Sequence, residues 1–189
     1  MSGRHADPRE GATTVDGLVR RARDGDLRAF EQLVEPHLAR LYGLAAGMVG
    51  PEEARDVAQD TLVSAWRELP RLNRADRLDA WLRSILMNRA RNVLRARRRH
   101  PAIPFDPAIG HGDALHHEPM SALAGRWAVE EALGRLRPDE RAVVVLHYLA
   151  DLPLREVATT LGLREGTVKS RLHAALQRLR VALAAEEAS

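Results

Sequence analysis

Cysteine is absent from the 189 residues. That excludes disulfides and thiolate metal sites and fits a reducing compartment. Any redox response would have to be sensed by a partner. Lysine is nearly absent as well: Lys169 is the sole one, so the basic charge is almost all arginine. Arginine carries the planar fork that suits phosphates and base edges. An arginine bias also follows from a GC-rich genome, so placement along the chain has to decide its meaning. No long apolar run is present, which argues against membrane insertion. The stretch Met1 to Thr14, with Arg4, Asp7, Arg9 and Glu10, lacks the apolar centre of a signal peptide and reads as a disordered tail. The expected location is therefore cytoplasmic.

Several chemistries are missing too. There is no phosphate-cradling glycine loop, and no Ser, His and Asp set has recognisable motif context. His111, His116 and His117 lie in a stretch rich in proline and glycine, without carboxylates at ligand spacing, so neither zinc nor another cofactor is expected. No strand-like alternation occurs. The expectation is a protein without catalytic residues.

What is present is a soluble composition, with 45% hydrophobic and 29% charged residues and a net charge of +3. The predicted fold is all-α, with two small helical domains joined by a flexible linker. Residues 15–99 read as helices with short breaks, and residues 121–185 are helical again. Between them, residues 100–120 hold Pro101, Pro104, Pro107, Gly110, Gly112 and Pro119, a linker composition. Asp26 is a plausible cap for a first pattern through Phe30, Leu33, Val34, Leu38, Leu41, Ala45 and Met48, which Pro36 interrupts. Pro51 opens a second helix with Glu52 and Glu53 in its first turn, where the helix dipole favours acids. Its apolar stripe runs from Ala54 to Leu69, and Pro70 ends it. A third runs from about Asp79 into the nineties on Leu78, Trp81, Leu82, Ile85, Leu86, Val93 and Leu94. After the linker, Leu123, Trp127, Leu133 and Leu136 suggest a helix, and Pro138 starts the next. Two last helices, Pro153 to Leu161 and about Glu165 to Leu183, are joined through Gly162 and read as a helix-turn-helix.

Three charged surfaces follow from this layout. Between Arg83 and Arg99 lie seven arginines and no acid, with Asn88 and Asn92 four residues apart. A helix face of one sign repels itself, whereas arginines attract phosphate and asparagines read base edges. A nucleic-acid role is favoured over a merely solvated face. On the last helix Arg164, Lys169, Arg171, Arg178 and Arg180 are opposed only by Glu165, and Thr167, Ser170, Arg171 and His173 project from its front, where a recognition helix reads bases. The alternative there is a surface helix that caps a bundle. Asp56, Gln59, Asp60 and Val63 form a polar side on the second helix, which alone reads most simply as a solvated face. The loop Pro70 to Asp79 is either a connector or a receptor for an unstacked base.

Two segments together resemble a known family. Asp56-Val-Ala-Gln-Asp-Thr-Leu-Val-Ser-Ala-Trp66, then Trp81-Leu-Arg-Ser-Ile85 and the arginine run, is similar to region 2 of sigma-70 factors. Leu136-Arg-Pro-Asp-Glu-Arg-Ala, Leu154-Arg-Glu-Val-Ala158 and Gly166-Thr-Val-Lys-Ser-Arg-Leu172 resemble region 4. Their order across a short linker, without the extra regions of housekeeping factors, points to the extracytoplasmic-function group. The resemblance implies that Asp56, Gln59, Asp60 and Val63 bind core RNA polymerase at its clamp helices. It implies that the loop Leu72, Asn73, Arg74, Asp76 and Arg77 captures a flipped base of the unpaired non-template strand at the −10 element. Trp81, Asn88, Arg89, Arg91, Asn92 and Arg95 would serve melting and −10 reading beside it. Arg164, Thr167, Lys169, Ser170, Arg171 and His173 would read the −35 element in double-stranded promoter DNA. The linker would thread toward the polymerase active-site channel, and an anti-sigma factor is expected as a partner. Asn92 stands where the family commonly has an acid, and Met87 where an arginine is frequent, which predicts a weaker positive surface there. Pro153 and Arg164 stand where hydroxyl caps are common.

Two other readings remain open at this point. One is a helix-turn-helix regulator that works without polymerase, which leaves the first domain unexplained. The other is a sigma mimic that sequesters an anti-sigma factor, which has no need of the −35-reading residues.

Overall fold

The computed structural model describes residues 14–72, 74–99 and 129–187, with side chains to residue 183. The N-terminal tail, the linker 100–120, Asn73, Leu123 and Trp127 lie outside the described residues. No strand occurs among the described residues.

Among the described residues the first unit has five helices: α1 Val15–Arg23, α2 Leu27–Val34, α3 Leu38–Val49, α4 Pro51–Glu68 and α5 Leu78–Arg99. Asp26 caps α2 as expected, accepting from the Ala29 amide at 3.1 Å, and it also accepts two bonds from Arg21. One further helix, α1, lies upstream of the first predicted start, capped by the Thr14 hydroxyl on the Gly17 amide. Pro36 divides its pattern into two short helices, one of the two outcomes expected of it, through a turn of 3-10 helix, Glu35–His37, between α2 and α3. Pro51 is the first residue of α4, where its missing N–H costs nothing. Pro70 sits in a second 3-10 turn, Leu69–Arg71, which ends it.

The second unit has a helix over residues 129–135 (α6), α7 Pro138–Val144, a π-helical turn Val145–Leu149, α8 Leu154–Leu161 and α9 Glu165–Glu187. Gly162 ends α8 in the left-handed region, at φ 65, which glycine enters without the steric cost of a side chain. Pro153 caps α8 instead of occupying its first helical position, and the Arg164 carbonyl accepts the first amide bonds of α9. Neither start uses a hydroxyl.

The two units share one hydrophobic core. Leu41, Leu44, Met48, Leu82 and Leu86 belong to the same buried cluster as Val143, Val145, Leu146, Val157 and Leu161. A small second cluster, Leu133, Leu136, Val144 and Ala175, ties α6 and α7 to α9. The close approach that joins the units falls at Gly47 of α3: a Cβ there would lie 2.7 Å from Leu149 Cδ2 and 3.3 Å from Val145 Cγ2. The absence of a side chain at that position lets the π turn lie against α3.

Candidate nucleic-acid interface

Helix α4 presents its polar side to solvent. Asp56, Gln59 and Asp60 are exposed and Val63 is 48% exposed, while Ala54, Val57, Thr61 and Ala65 are buried on the opposite side. Thr61 and Ser64 are buried hydroxyls that donate back to the carbonyls of Val57 and Asp60, so neither is left without a partner.

The loop after α4 divides into a buried part and an open part. Leu72 is 3% exposed and belongs to the core, so it cannot reach a base. Its apolar side chain anchors the loop. Arg74, Asp76 and Arg77 are exposed. Arg74 and Asp76 form a bidentate pair at 2.6 and 3.0 Å. That hydrogen-bonded pair holds the Asp76 carboxyl below and the Arg74 guanidinium above its ordinary pKa. A cleft of about 860 Å³ opens beside them, with Leu18, Leu33, Pro36 and Leu78 as apolar lining and Asp16, Gln32, His37 and Asp79 as further polar groups. Sequence reading did not identify Asp16, Gln32 or His37 as part of this site. They come from α1, α2 and the first 3-10 turn, and no local spacing connects them with the loop.

Helix α5 carries the arginine run, yet its arginines do not form a bare basic face. Arg83 is buried and pairs with Asp79 one turn earlier, so it belongs to the interior. Arg89 donates to Ser64 Oγ at 2.5 Å and thereby ties α5 to α4. Arg97 pairs with Glu53 and reaches the Val49 carbonyl. Trp81 is half-buried against the core, which fits packing better than stacking on a base. Asn88 and Asn92 are exposed on the outer side. Met87 is wholly buried, so its replacement of an arginine subtracts nothing from the surface.

Arg91, Arg95 and Arg98 of α5 meet the second unit. Asp139, in the first turn of α7, lies 3.5 Å from Arg91 and 2.9 Å from Arg95. Arg98 donates to the Leu136 carbonyl at 2.6 Å. Burial lowers the pKa of Arg91, and the charges of Arg95 and Arg171 add to that, while Asp139 opposes it. Arg171 of α9 therefore bears electrostatically on the same place. From the other side, buried Arg141 of α7 donates to the Gly47 carbonyl at 2.8 Å, and burial first, then the Arg97 charge, push its pKa down to about 10.

On α9, Lys169, Ser170 and His173 are exposed, and Thr167 and Arg171 are half-buried. Lys169 pairs with Glu165 at 2.8 Å and Ser170 bonds back to the Thr167 carbonyl. Arg164 is exposed just before the helix. Val168 and Ala175 are wholly buried and fix which side of α9 faces outward. Arg178 is held by nearly buried Glu140, so it is a structural tie and not part of the front of the helix. No group of three or more potential metal ligands occurs among the described residues, and no helix there is long and apolar enough to cross a membrane.

The structure thus brings together an outward polar face on α4, a loop with a cleft, an arginine helix and, after a glycine turn, a helix with an exposed polar front. The family described as Sigma-70 region 2 matches residues 33–100, and Sigma-70, region 4 matches residues 126–179. The chain is 31% identical over 153 residues to the ECF RNA polymerase sigma factor SigL of Mycobacterium tuberculosis, covering 80% of this chain and 86% of that one. Among solved structures it is similar to CnrH in complex with the cytosolic domain of CnrY, with a TM-score of 0.62 and 29% identity over 89% of this chain and 96% of that one. It is also similar to the sigma factor RpoE from Bartonella quintana in complex with the anti-sigma factor NepR, with a TM-score of 0.62 and 25% identity over 82% of this chain and 96% of that one. Two family regions in the right order, on two helical units, place the chain in the sigma-70 family of RNA polymerase sigma factors, in its extracytoplasmic-function group.

Proposed function

We propose that the protein directs RNA polymerase to promoters, binding core polymerase through region 2 and reading two promoter elements with its two units. The observation that carries this reading is the coexistence in one chain of an exposed polar face on α4 and an exposed recognition-helix front on α9. A regulator acting alone has no use for the first, and a mimic has no use for Lys169, Ser170 and His173 on the second. Asp56, Gln59, Asp60 and Val63 dock on the clamp helices. Arg74, Asp76 and Arg77, with Asn73, hold an extruded base of the non-template strand, and the apolar lining of the adjacent cleft offers it a surface to replace its lost stacking. Extrusion costs a few kcal/mol, recovered in such a pocket. Asn88 and Asn92 face the −10 duplex, and Arg91 and Arg95 turn to its phosphates in exchange for their pairing with Asp139. Arg164, Thr167, Lys169, Ser170, Arg171 and His173 read the −35 major groove. Two weak sites on one chain gain affinity through effective concentration. The protein supplies surfaces, polymerase supplies the chemistry, and the site of action is the cytoplasm. An anti-sigma factor covering the polymerase-facing side controls it, as the NepR-bound relative suggests.

Run-off transcription tests this reading, with purified core polymerase on a library of promoter fragments, with and without the protein. Transcripts from a shared pair of elements that appear only with the protein are expected. No stimulation by folded protein with active core would refute it.

A further inference from the structure

We infer that the base captured beside the loop is one that carries an exocyclic amine, and that His37, Asp16 and Gln32 reject thymine there. This rests on the promoter-reading role proposed above and deepens it. A base edge is chosen by the polar groups of the cleft that are still free to bond. Arg74 and Asp76 already engage each other in a bidentate pair, so what they chiefly present is a flat guanidinium plane on which a base can stack. Asp79 is engaged as well. Its Oδ2 accepts from Arg40 at 3.2 Å and from Arg83, and its Oδ1 lies 3.2 Å from His37 Nδ1. A carboxylate held by two guanidiniums is ionised and can only accept. The shared hydrogen therefore sits on His37 Nδ1, and in the neutral imidazole Nε2 is left as an acceptor. His37 lines the cleft, so Nε2 is the atom it has to offer a ligand.

The other free groups agree in sense. Asp16 and Gln32 line the cleft and are exposed, and among the described residues neither side chain makes a hydrogen bond or ion pair. The carboxylate only accepts, while the carboxamide accepts through Oε1 and donates through Nε2. Acceptors thus outnumber donors. Adenine, cytosine and guanine each carry an amino group that two such acceptors can share. Thymine carries none. Its one edge donor, N3–H, lies between two carbonyl oxygens, which would meet the lone pairs of Asp16 and His37 Nε2. A cleft of about 860 Å³ takes a purine or a pyrimidine, so hydrogen-bond sense and not size makes the choice. Asp16 and Gln32 stand upstream of residue 33, where the match to region 2 begins. This part of the reader therefore belongs to α1 and α2.

The test uses holoenzyme made with this protein on a pre-opened template that carries a promoter selected by the run-off library. An abasic scan of the non-template −10 positions, repeated with Arg74→Ala, finds the captured base: its removal weakens binding of the unaltered holoenzyme and has little further effect on the variant. That base is then replaced by thymine and by the analogue lacking only the amine, which is purine for adenine, pyrimidin-2-one for cytosine or hypoxanthine for guanine. Fluorescence anisotropy reads the affinity. Loss of the amine should weaken binding about tenfold, and thymine at least as much, within the range for reading one base edge. Asp16→Asn turns an acceptor into a group that also donates and should cut the thymine penalty several-fold. Asp79→Asn releases the tautomer of His37 and should shrink the penalty for the missing amine. That penalty is a ratio within one variant, so a loss of stability alone does not move it. A captured thymine, or an amine-free analogue bound as well as its parent, would overturn the inference and leave base capture standing. Penalties unchanged in both variants would remove these residues from the reader. If no position responds to Arg74→Ala, base capture itself fails, and the amine preference with it.

Discussion

At the residue scale, the same side-chain type serves opposite ends here. Of the arginines on α5, Arg83 is interior, Arg89 is a brace to Ser64 and Arg97 pairs with Glu53. Sequence reading saw a run of one sign, because two of the acids that answer it, Glu53 and Asp139, come from α4 and α7, far along the chain, and the third, Asp79, lies one turn before the run begins. Leu72 shows the same limit, since a loop residue beside two exposed arginines looks available until the packing is known. Leu72→Ala is expected to destabilise the first unit by about 2–5 kcal/mol, as for a buried leucine, which urea denaturation would read. Arg74→Ala should leave stability nearly unchanged and selectively reduce open-complex formation on promoter fragments. Glu140 supplies a pH handle. Burial works against its charged form, but the Arg178 hydrogen bond, the Arg137 amide and the nearby arginines outweigh that and hold its carboxyl below the ordinary value of 4.5. A depressed folded pKa means that the stabilisation is fully present above about 4.5 and is lost as pH falls through the lowered value. Glu140→Gln should therefore lower the melting temperature at pH 7, and the gap to the unaltered chain should narrow below pH ~4.5.

At the element scale, the strong periodic helices α3, α4, α5 and α9 were legible, along with the turn at Gly162. Pro51 and Pro70 placed the ends of α4 and Gly162 the end of α8 to within a residue or two, whereas α9 runs on to Glu187, past the expected Leu183. The π turn Val145–Leu149 was not legible, because Val143, Val144, Leu146 and Leu149 satisfy an ordinary helical pattern as well. Its consequence is local. It leaves Tyr148 and Leu149 57% and 53% exposed, and His147 Nδ1 meets the Leu152 carbonyl at 2.8 Å. The polar face of α4 was visible as a pattern, but only the family resemblance separated it from an ordinary wet surface. That distinction can be measured. Asp60→Arg on this exposed face should weaken binding to core polymerase by an order of magnitude or more, as expected for reversing a charge at a complementary interface. The melting curve should not move, because the Asp60 side chain is exposed and the backbone carbonyl that accepts from Ser64 Oγ is kept by the substitution. The turn before α9 is open to the same kind of test. Gly162→Ala meets no neighbour, but it forces a side chain into the left-handed region and should cost roughly 1 kcal/mol, read by thermal or urea melts.

At the scale of the whole molecule, sequence reading and structure agree on two helical units, while how the units sit together was not legible in the sequence. Composition marks residues 100–120 as a linker, which leaves open whether the domains fold apart. The buried cluster runs instead from α3 and α5 through the π turn into α8. The reason lies in α7 and the π turn, a short segment in which Ala142, Val143, Val144, Val145 and Leu146 are all buried. A segment buried all round needs cover on every side. Helices α6 and α9 cover one side through Val144, and α3 of region 2 lies against another at Val145 and Leu149. Removing region 2 would uncover that side. Unfolding should therefore be a single cooperative transition in calorimetry, with the van't Hoff enthalpy matching the calorimetric one. Gly47→Leu, which separates the units at their closest approach, should split it into two transitions, the region 4 transition falling to lower temperature because its apolar side is then bare. Two transitions in the unaltered chain would mean that the shared core does not hold the units together in solution. Polymerase faces the same constraint. To use the two readers at a promoter it has to offer region 4 a replacement apolar surface, so binding of core polymerase should protect the amides of α7 and the π turn from hydrogen exchange even when α8 and α9 are far from α5.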